Sequence, residues 1–433
     1  MTDEATPRTA RTIALDLLSA VLDRRQALDD ALETHRDLKL LAARDRGFAR
    51  VLVATTLRRL GQLDALIAAC LRQPLSGDRP LAQHILRLGA VQLLFLGTPA
   101  HAAVDGAVAL ADGGPARGLK GLINAVLRRL AREGTAMVAA QDAPRLNLPG
   151  WIWESWTASY GEAATRAIAE VLVRDPPLDL TVRGDAAAWA PRLDGVVLPG
   201  GTIRRTVGGE IERLPGYADG AWWVQDVAAA LPARLLGGVA GARVADLCAA
   251  PGGKTAQLAA AGARVIAVDR AAKRLERVRA NLQRLGLQAE IVAADAATWQ
   301  ADAPLDAVLL DAPCSATGAA RRHPDVLHLK TPDDVQRLAA VQDRLLDNAV
   351  RQLRPGGTLV YCTCSLEAAE GPERIERLLA SGAPVRRQPV DSAEFGDHAP
   401  CVTPDGDLRT LPNHLAHQGG MDGFYAARLT RLD

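Results

Sequence analysis

The sequence predicts an α/β protein, in which a Rossmann-like, doubly wound sheet domain follows an all-α domain and a small α+β subdomain. Three observations carry this expectation. Residues 8–135 hold apolar positions at three-to-four-residue spacing, residues 236–430 alternate short apolar runs with amphipathic stretches, and a glycine-rich loop follows the first of those runs. At 433 residues the chain has room for two or three separate cores.

The first domain is expected over 6–135. Ile13, Leu17 and Val21 share a helical face, as do Phe48 and Leu52, Leu60, Leu63 and Ile67, Val91 and Leu94, and Leu119, Ile123 and Leu127. Gly and Pro near 75–80, 97–99 and 113–118 divide this stretch into five to seven helices. Residues 1–135 carry 19 Lys/Arg against 14 Asp/Glu, an excess that permits RNA binding without demanding it and that solvated helix faces explain equally well.

Leu148-Pro149-Gly150 marks the next boundary. Trp151, Trp153 and Trp156 then open a helix, Asp175-Pro176-Pro177 ends the one after it, and residues 178–225 read as short strands, among them Leu178–Val182 and Trp222–Val224. The expectation is an α+β subdomain over 145–235, its tryptophans serving either as an RNA-stacking surface or as anchors that pack domains together.

From 236 to 433 the reading is β then α: strand 243–247, helix 254–261; strand 264–268, helix 271–285; strand 289–293; strand 307–310, helix 333–353; strand 358–362, helix 367–380; and a closing strand 423–429. Repeated βαβ units make a parallel sheet with helices on both faces, and ligands of such sheets bind beyond the carboxyl ends of the strands.

Whole-chain properties narrow the function classes. Hydrophobic residues make up 48% and mean hydropathy is +0.01, no run of about 18 uncharged apolar residues occurs, and the first 30 residues carry charges at helical spacing instead of a signal-peptide pattern. A soluble, cytoplasmic protein is expected. Six cysteines, at 70, 248, 314, 362, 364 and 401, are too few and too unevenly spaced for a disulfide framework, so reduced thiols are expected.

The loop Asp246-Leu247-Cys248-Ala249-Ala250-Pro251-Gly252-Gly253-Lys254-Thr255 joins the first strand to its helix. Its Gly-Gly-Lys-Thr end suggests a P-loop, but the first glycine of that motif would fall at 248, which is Cys, so a phosphate cradle is not expected. Asp269 closes the second strand as an acceptor for ribose hydroxyls, and Asp295 follows the third, within reach of an adenine amino group. Acids at three successive strand ends, 246, 269 and 295, describe a site for a nucleoside without phosphates, which fits S-adenosylmethionine better than NAD.

Cys314 in Asp311-Ala312-Pro313-Cys314 and Cys364 in Thr363-Cys364-Ser365 each follow an apolar run. If those runs are parallel neighbours, both thiols sit at one sheet edge beside the cofactor loop. Such an arrangement suits methylation of cytosine at carbon 5, which is a poor nucleophile until a thiolate adds to carbon 6. Asp311, Lys254 and the second thiol could bind the base and assist release; Lys254 is one of only five lysines. Cys248 and Cys362 read as packing residues, Cys362-Thr363-Cys364 is not C-x-x-C, and a zinc site from 248, 314, 362 and 364 lacks the usual spacing.

These residues together resemble a known family. Asp-Leu-Cys-Ala-Ala-Pro-Gly-Gly-Lys-Thr, Asp-Ala-Pro-Cys-Ser and Tyr-x-Thr-Cys-Ser are similar in order and spacing to the Nop2/Sun/Fmu RNA 5-cytosine methyltransferases, and Gly420-Met421-Asp422-Gly423-Phe424-Tyr425 resembles their closing strand. The resemblance implies that Cys364 is the nucleophile and Cys314 assists product release. It also implies cofactor contacts at Cys248, Ala249, Ala250, Pro251, Gly252, Gly253, Lys254, Asp269, Asp295 and Asp311. Arg44-Asp45-Arg46-Gly47-Phe48, Arg87 to Leu93 and Lys120 to Arg128 are similar to the NusB-like RNA-binding domain fused to the RsmB branch, which modifies cytosine 967 of small-subunit ribosomal RNA.

The resemblance therefore implies an enzyme acting on small-subunit ribosomal RNA; a monomer with no membrane or metal partner is expected. One departure is Glu370-Gly371, where the family often has Glu-Asn. The rivals are a methyltransferase of another RNA (transfer RNA or 23S ribosomal RNA), one that attacks through the Pro-Cys thiol, and a NusB-type RNA-binding module with an inert second half.

Overall fold

The structure is a computed structural model that describes residues 8–75, 79–112, 114–206 and 209–433. The first two residues of the expected 6–135 domain and parts of the breaks near 75–80 and 113–118 lie outside these. The described residues form two units, one comprising the chain to Arg174 together with Arg322–Lys330, the other Asp175–Arg321 with Thr331–Asp433.

Helix α1 (Ala10–Leu22) starts at a Thr9–Thr12 capping box and buries Ile13, Ala14, Leu17, Leu18 and Val21 along one face. Helices α2 (Leu28–Thr34), α3 (Ala43–Arg58), α4 (Leu60–Cys70), α5 (Pro80–Leu94), α6 (Ala100–Leu110) and α7 (Lys120–Ala139) close around it. Among the described residues from 8 to 139 these seven α-helices fall within the expected five to seven. Gly89 permits the close approach of α5 to its neighbours, because a Cβ there would meet Leu127 Cδ1 at 2.6 Å and Ala107 Cβ at 3.2 Å.

Helices α8 (Ala143–Asn147), α9 (Gly150–Tyr160) and α10 (Glu162–Leu172) belong to the same unit. Asn147 exchanges hydrogen bonds with the amide and side chain of Gln62. Trp156 is fully buried, and the Trp153 ring takes the guanidinium groups of Arg145 and Arg166, each 5.2 Å from its centroid. The stretch expected as one 145–235 subdomain is thus divided, α9 and α10 grouping with the first unit and the strands after Asp175 with the second.

The second unit begins with an antiparallel sheet of order β2 (Val196–Val197), β3 (Ile203–Arg205), β1 (Leu178–Val182) and β4 (Trp222–Val224), with α11 (Ala186–Trp189) between β1 and β2. A fully buried ion pair joins β1 to β3: both nitrogens of the Arg204 fork donate to Asp179 at 2.7 Å. Asp179 also accepts from the Val227 amide at 3.1 Å, which fixes α12 (Val227–Arg234) against the sheet.

The large sheet has the order β7 (Glu290–Ala293), β6 (Arg264–Asp269), β5 (Arg243–Leu247), β8 (Leu305–Asp311), β9 (Leu353–Thr363), β12 (Phe424–Arg431) and β10 (Val385–Arg387), and β11 (Leu408–Thr410) pairs with β12. Strands β5 to β9 are mutually parallel, and β12 is antiparallel to β9. Alternating residues serve opposite faces. Val244, Leu309, Val360 and Cys362 pack with α12 and α13 (Gly253–Ala260), whereas Ala245, Leu247, Val308, Leu310, Leu359 and Tyr361 pack under α16 (Pro332–Gln352) and α17 (Pro372–Ala380). Helix α14 (Ala272–Leu285) covers the β6 side through Leu275, Val278 and Leu282.

The helix expected over 367–380 starts only at Pro372. Residues Ala368–Glu370 form a 3-10 turn instead, because Pro at the first helical position sets the start and Glu370 turns inward. Between β8 and α16 the chain enters the first unit as Arg322–Lys330, including α15 (Val326–Leu329). There Asp325 Oδ2 accepts from the Leu28 amide at 2.9 Å, capping α2, and His328 Nε2 donates to the Leu57 carbonyl at 2.8 Å. No helix among the described residues is long and apolar enough to cross a membrane.

Candidate active site

Strands β5 and β8 are neighbours whose following helices cover opposite faces of the sheet, so their carboxyl ends open a crevice at the point where the strand order reverses. The loop after β5 is shaped by backbone that side chains rarely tolerate: Cys248 has φ of 63° and Gly252 of 99°, and the Ala250–Pro251 peptide is cis. A Cβ on Gly252 would also press on Val278 at 3.1 Å. The Ala249 amide donates to the Val268 carbonyl, and the Ala250 amide to Asp269 Oδ2 at 3.2 Å, tying the loop to the end of β6.

A cleft beside this loop gathers Cys248, Asp269 and Asp295 from three successive strand ends, closed on its far side by Pro313 and Leu345. Asp269 also accepts from the Ala271 amide at 2.9 Å, and Asp295 from the Ala297 amide at 2.9 Å, so each acid shapes its own turn while facing the cleft. Asp246 is fully buried; Oδ2 accepts from Thr255 at 2.6 Å and Oδ1 is buried without a hydrogen-bond partner. Burial pushes its carboxyl up to about 7, against the smaller opposing effect of the Thr255 hydroxyl.

Lys254, in the first turn of α13, reaches across β5 to Asp311 at the end of β8, with Nζ 2.8 Å from Oδ2. The ammonium also lies 5.0 Å from the centroid of the Phe424 ring. Burial works against the charge, but Asp311 and the nearby Cys362 and Cys364 outweigh it and raise the Lys254 pKa above its ordinary value. The Cys362 thiol donates to the other Asp311 oxygen at 3.5 Å. Cys362 is fully buried in the sheet core, in keeping with a packing role.

The expected juxtaposition of the two thiols is present. Strands β8 and β9 are parallel neighbours in register Asp311↔Cys362, and the loops that follow bring Cys314 Sγ to 3.5 Å from Cys364 Sγ. The hydrogen bond with Cys364, then burial, raise the Cys314 pKa well above the ordinary thiol value. Cys248 is likewise raised, by burial and then by Asp311 and Asp269. Cys401 lies elsewhere, against His414, and Cys70 ends α4 in the first unit.

Sequence reasoning missed the residue that joins the two cysteine loops. Glu370 is fully buried and accepts from Ser315, next to Cys314, and from Ser365, next to Cys364. The available signal was its place in the Glu-Asn pattern that the family often shows after Thr-Cys-Ser, of which this chain keeps the Glu. At the departure, Gly371, a Cβ would come within 2.8 Å of Arg409 Nη2, the far end of a flexible side chain, and 3.1 Å of the Tyr425 ring, so an Asn there would require Arg409 to move and the ring to give slightly. Among the described residues no group of three His, Cys, Asp or Glu could hold a metal ion.

The chain matches two family models, NusB over residues 8–132 and the 16S rRNA methyltransferase RsmB/F over 233–430. It is 38% identical to ribosomal RNA small subunit methyltransferase B of Pseudomonas syringae pv. tomato, over 98% of this chain and 97% of that one. Among solved structures, PH0851 superposes with a TM-score of 0.74 at 20% identity, covering 98% of this chain and 100% of that one. A methyltransferase homolog protein from Pyrococcus horikoshii superposes with a TM-score of 0.55 at 26% identity, over 66% and 97%. With a Rossmann-like sheet carrying both cysteine motifs and a NusB-type helical region before it, the chain belongs to the RsmB family of ribosomal RNA small subunit methyltransferases.

Proposed function

We propose that this protein is a cytoplasmic, S-adenosylmethionine-dependent RNA cytosine-C5 methyltransferase, that its substrate is small-subunit ribosomal RNA at the cytosine 967 position, and that the helical domain holds that RNA. The observation that carries the chemistry is the 3.5 Å approach of two thiols beside the Lys254–Asp311 pair. The cofactor also fits its cleft. Asp246 Oδ1 is a buried acceptor without a donor, Asp269 and Asp295 line the cleft, and Gly252 and Gly253 let backbone approach a ligand. When bound, S-adenosylmethionine supplies the electrophilic methyl group.

The protein's own residues perform the remaining steps. Cys364, as thiolate, adds to carbon 6 of the cytosine, so that carbon 5 becomes the nucleophilic end of an enamine. Lys254 and Asp311 engage the polar edge of the ring, the ammonium as donor and the carboxylate as acceptor. Loss of the carbon-5 proton then expels the Cys364 thiolate. Cys314, whose Sγ lies 3.5 Å from that of Cys364, assists this elimination; before the attack its hydrogen bond with Cys364, then burial, raise its pKa above the ordinary thiol value.

The test is transfer of labelled methyl from the cofactor to ribosomal RNA, with bisulfite sequencing of RNA from cells lacking the gene. A 5-methylcytosine missing at one small-subunit position is the expected result. Loss from transfer RNA or 23S RNA alone would redirect the substrate assignment, and no methyl transfer to any RNA would overturn the enzymatic one.

A further inference from the structure

A carboxylate buried without a basic partner is costly, and an apolar or amide side chain in its place avoids that cost. Glu370 is such a group. Its Oε1 accepts from the Ser315 amide at 2.9 Å and from Gln342 Nε2 at 3.2 Å, and its Oε2 accepts from the Ser315 hydroxyl at 2.5 Å and the Ser365 hydroxyl at 2.6 Å. All of these donors are neutral. Burial accordingly raises its pKa, opposed by the two serine hydroxyls.

The placement of those donors gives the carboxylate a purpose. Ser315 is bonded to Cys314 in the chain and Ser365 to Cys364, so one carboxylate clamps the residue beside each thiol. The clamp is anchored behind the thiols as well. The Glu370 carbonyl accepts from Tyr361 Oη at 2.8 Å and Thr363 Oγ1 at 3.1 Å, both on the strand that delivers Cys364. Gln342 meanwhile donates to the Pro313 carbonyl at 2.9 Å, one residue before Cys314. The two loops belong to different strands and are also joined by the amides of Ala312 and Gly318, which donate to the carbonyls of Cys362 and Cys364, and by the Leu366 amide, which donates to Thr317 Oγ1. Between those backbone ties Glu370 is the group that holds the residues next to both thiols, beside the thiol–thiol and serine–serine contacts.

We propose that Glu370 is the positioning residue of the reaction, fixing the releasing thiol of Cys314 against the attacking thiol of Cys364 so that elimination follows attack. This rests on the cysteine roles proposed above. Glu370 touches neither base nor cofactor; it acts through the two serines. Removing it leaves attack by Cys364 possible, since that residue directly follows the end of β9 and its carbonyl still accepts from the Gly318 amide, but loosens the turn that carries Cys314, so the covalent RNA adduct outlives its normal span.

The test uses the full chain with Glu370→Gln and Glu370→Ala, and Cys364→Ala and Cys314→Ala as references. Expected for the Glu370 variants is an unchanged KM for RNA, kcat lower by about tenfold or more, and RNA adducts that persist on denaturing gels as in Cys314→Ala. Gln, which keeps one acceptor, falls between wild type and Ala. With the charge gone, alkylation of Cys314 by iodoacetamide, followed by mass spectrometry, shifts to lower pH. A Ser315→Ala/Ser365→Ala double variant keeps the buried acid while removing both hydroxyl clamps, and decides the matter if the Glu370 variants do not fold; slow release is again expected. Wild-type kcat and adduct lifetime, or a change in KM alone, would overturn the positioning role. Adducts that survive Cys364→Ala would instead overturn the cysteine assignment itself.

Discussion

Lys254 Nζ lies 2.8 Å from Asp311 Oδ2, although the two residues are 57 positions apart in the chain. The contact exists because β5 and β8 are adjacent parallel strands, so the helix starting after one reaches the carboxyl end of the other. It is the electrostatic centre of the site, and its partners depend on each other. Lys254→Met strands the Asp311 carboxylate and is expected to cost about 2 kcal/mol in urea unfolding as well as most of the methyl transfer. In a cycle with Asp311→Asn the double variant should lose less stability than the two single losses added together. Strict additivity would show that the pair contributes nothing as a pair.

The thiols should separate into two phenotypes. Cys364→Ala is expected to abolish both methyl transfer and covalent RNA adducts, whereas Cys314→Ala still forms adducts that accumulate. Denaturing gels with labelled RNA distinguish them, and the reverse pattern would assign attack to Cys314.

Asp246 should leave a signature in the pH dependence of stability. Its carboxyl is pushed up to about 7 in the folded protein, against roughly 3.9 in an unfolded chain. Between those values the folded state holds a proton that the unfolded state does not, so its contribution is fully present below about pH 4 and is lost as pH rises through 7. Asp246→Asn removes that loss. The variant's unfolding free energy relative to wild type should therefore climb from pH 4.5 to 7.5, by at most about 4 kcal/mol, and level off above. Urea titrations at four pH values measure it, and a constant difference would contradict a buried, titrating Asp246.

Asp325 is expected to matter for the helical unit although it lies far from it in sequence. Asp325→Ala removes the acceptor for the Leu28 amide at the start of α2, at a cost of about 1–2 kcal/mol. Hydrogen exchange in α2 should accelerate while the amides of β5 and β8 keep their protection. Equal acceleration in both units would count against a local cap.

Much of the site was legible because its residues stand at strand ends, and strand ends are marked by apolar runs followed by Asp, Pro or Gly. Asp246, Asp269 and Cys314 fall at such marks and Cys364 follows the apolar run that ends at Cys362, and the assumption that the two cysteine strands are parallel neighbours was enough to bring the thiols together. Glu370 was hidden because a Glu in a charged, helix-like stretch looks like a solvated one; only the inward 3-10 turn before Pro372 buries it. The segment 322–330 was hidden for a different reason. Its short run Val326-Leu327 carries no period long enough to show which core it joins, and contacts 297 residues apart in the chain leave no local pattern.

That segment has a consequence for the order in which the protein comes into being. The chain is made from its amino terminus, and a first unit that needed only the residues before Arg174 could finish folding early. Here its last piece emerges with residues 322–330, after β5, β6, β7 and β8 have already been synthesised. Helix α2 waits through that interval for its cap, and the two units mature in an interleaved sequence, neither one completed before work on the other has begun.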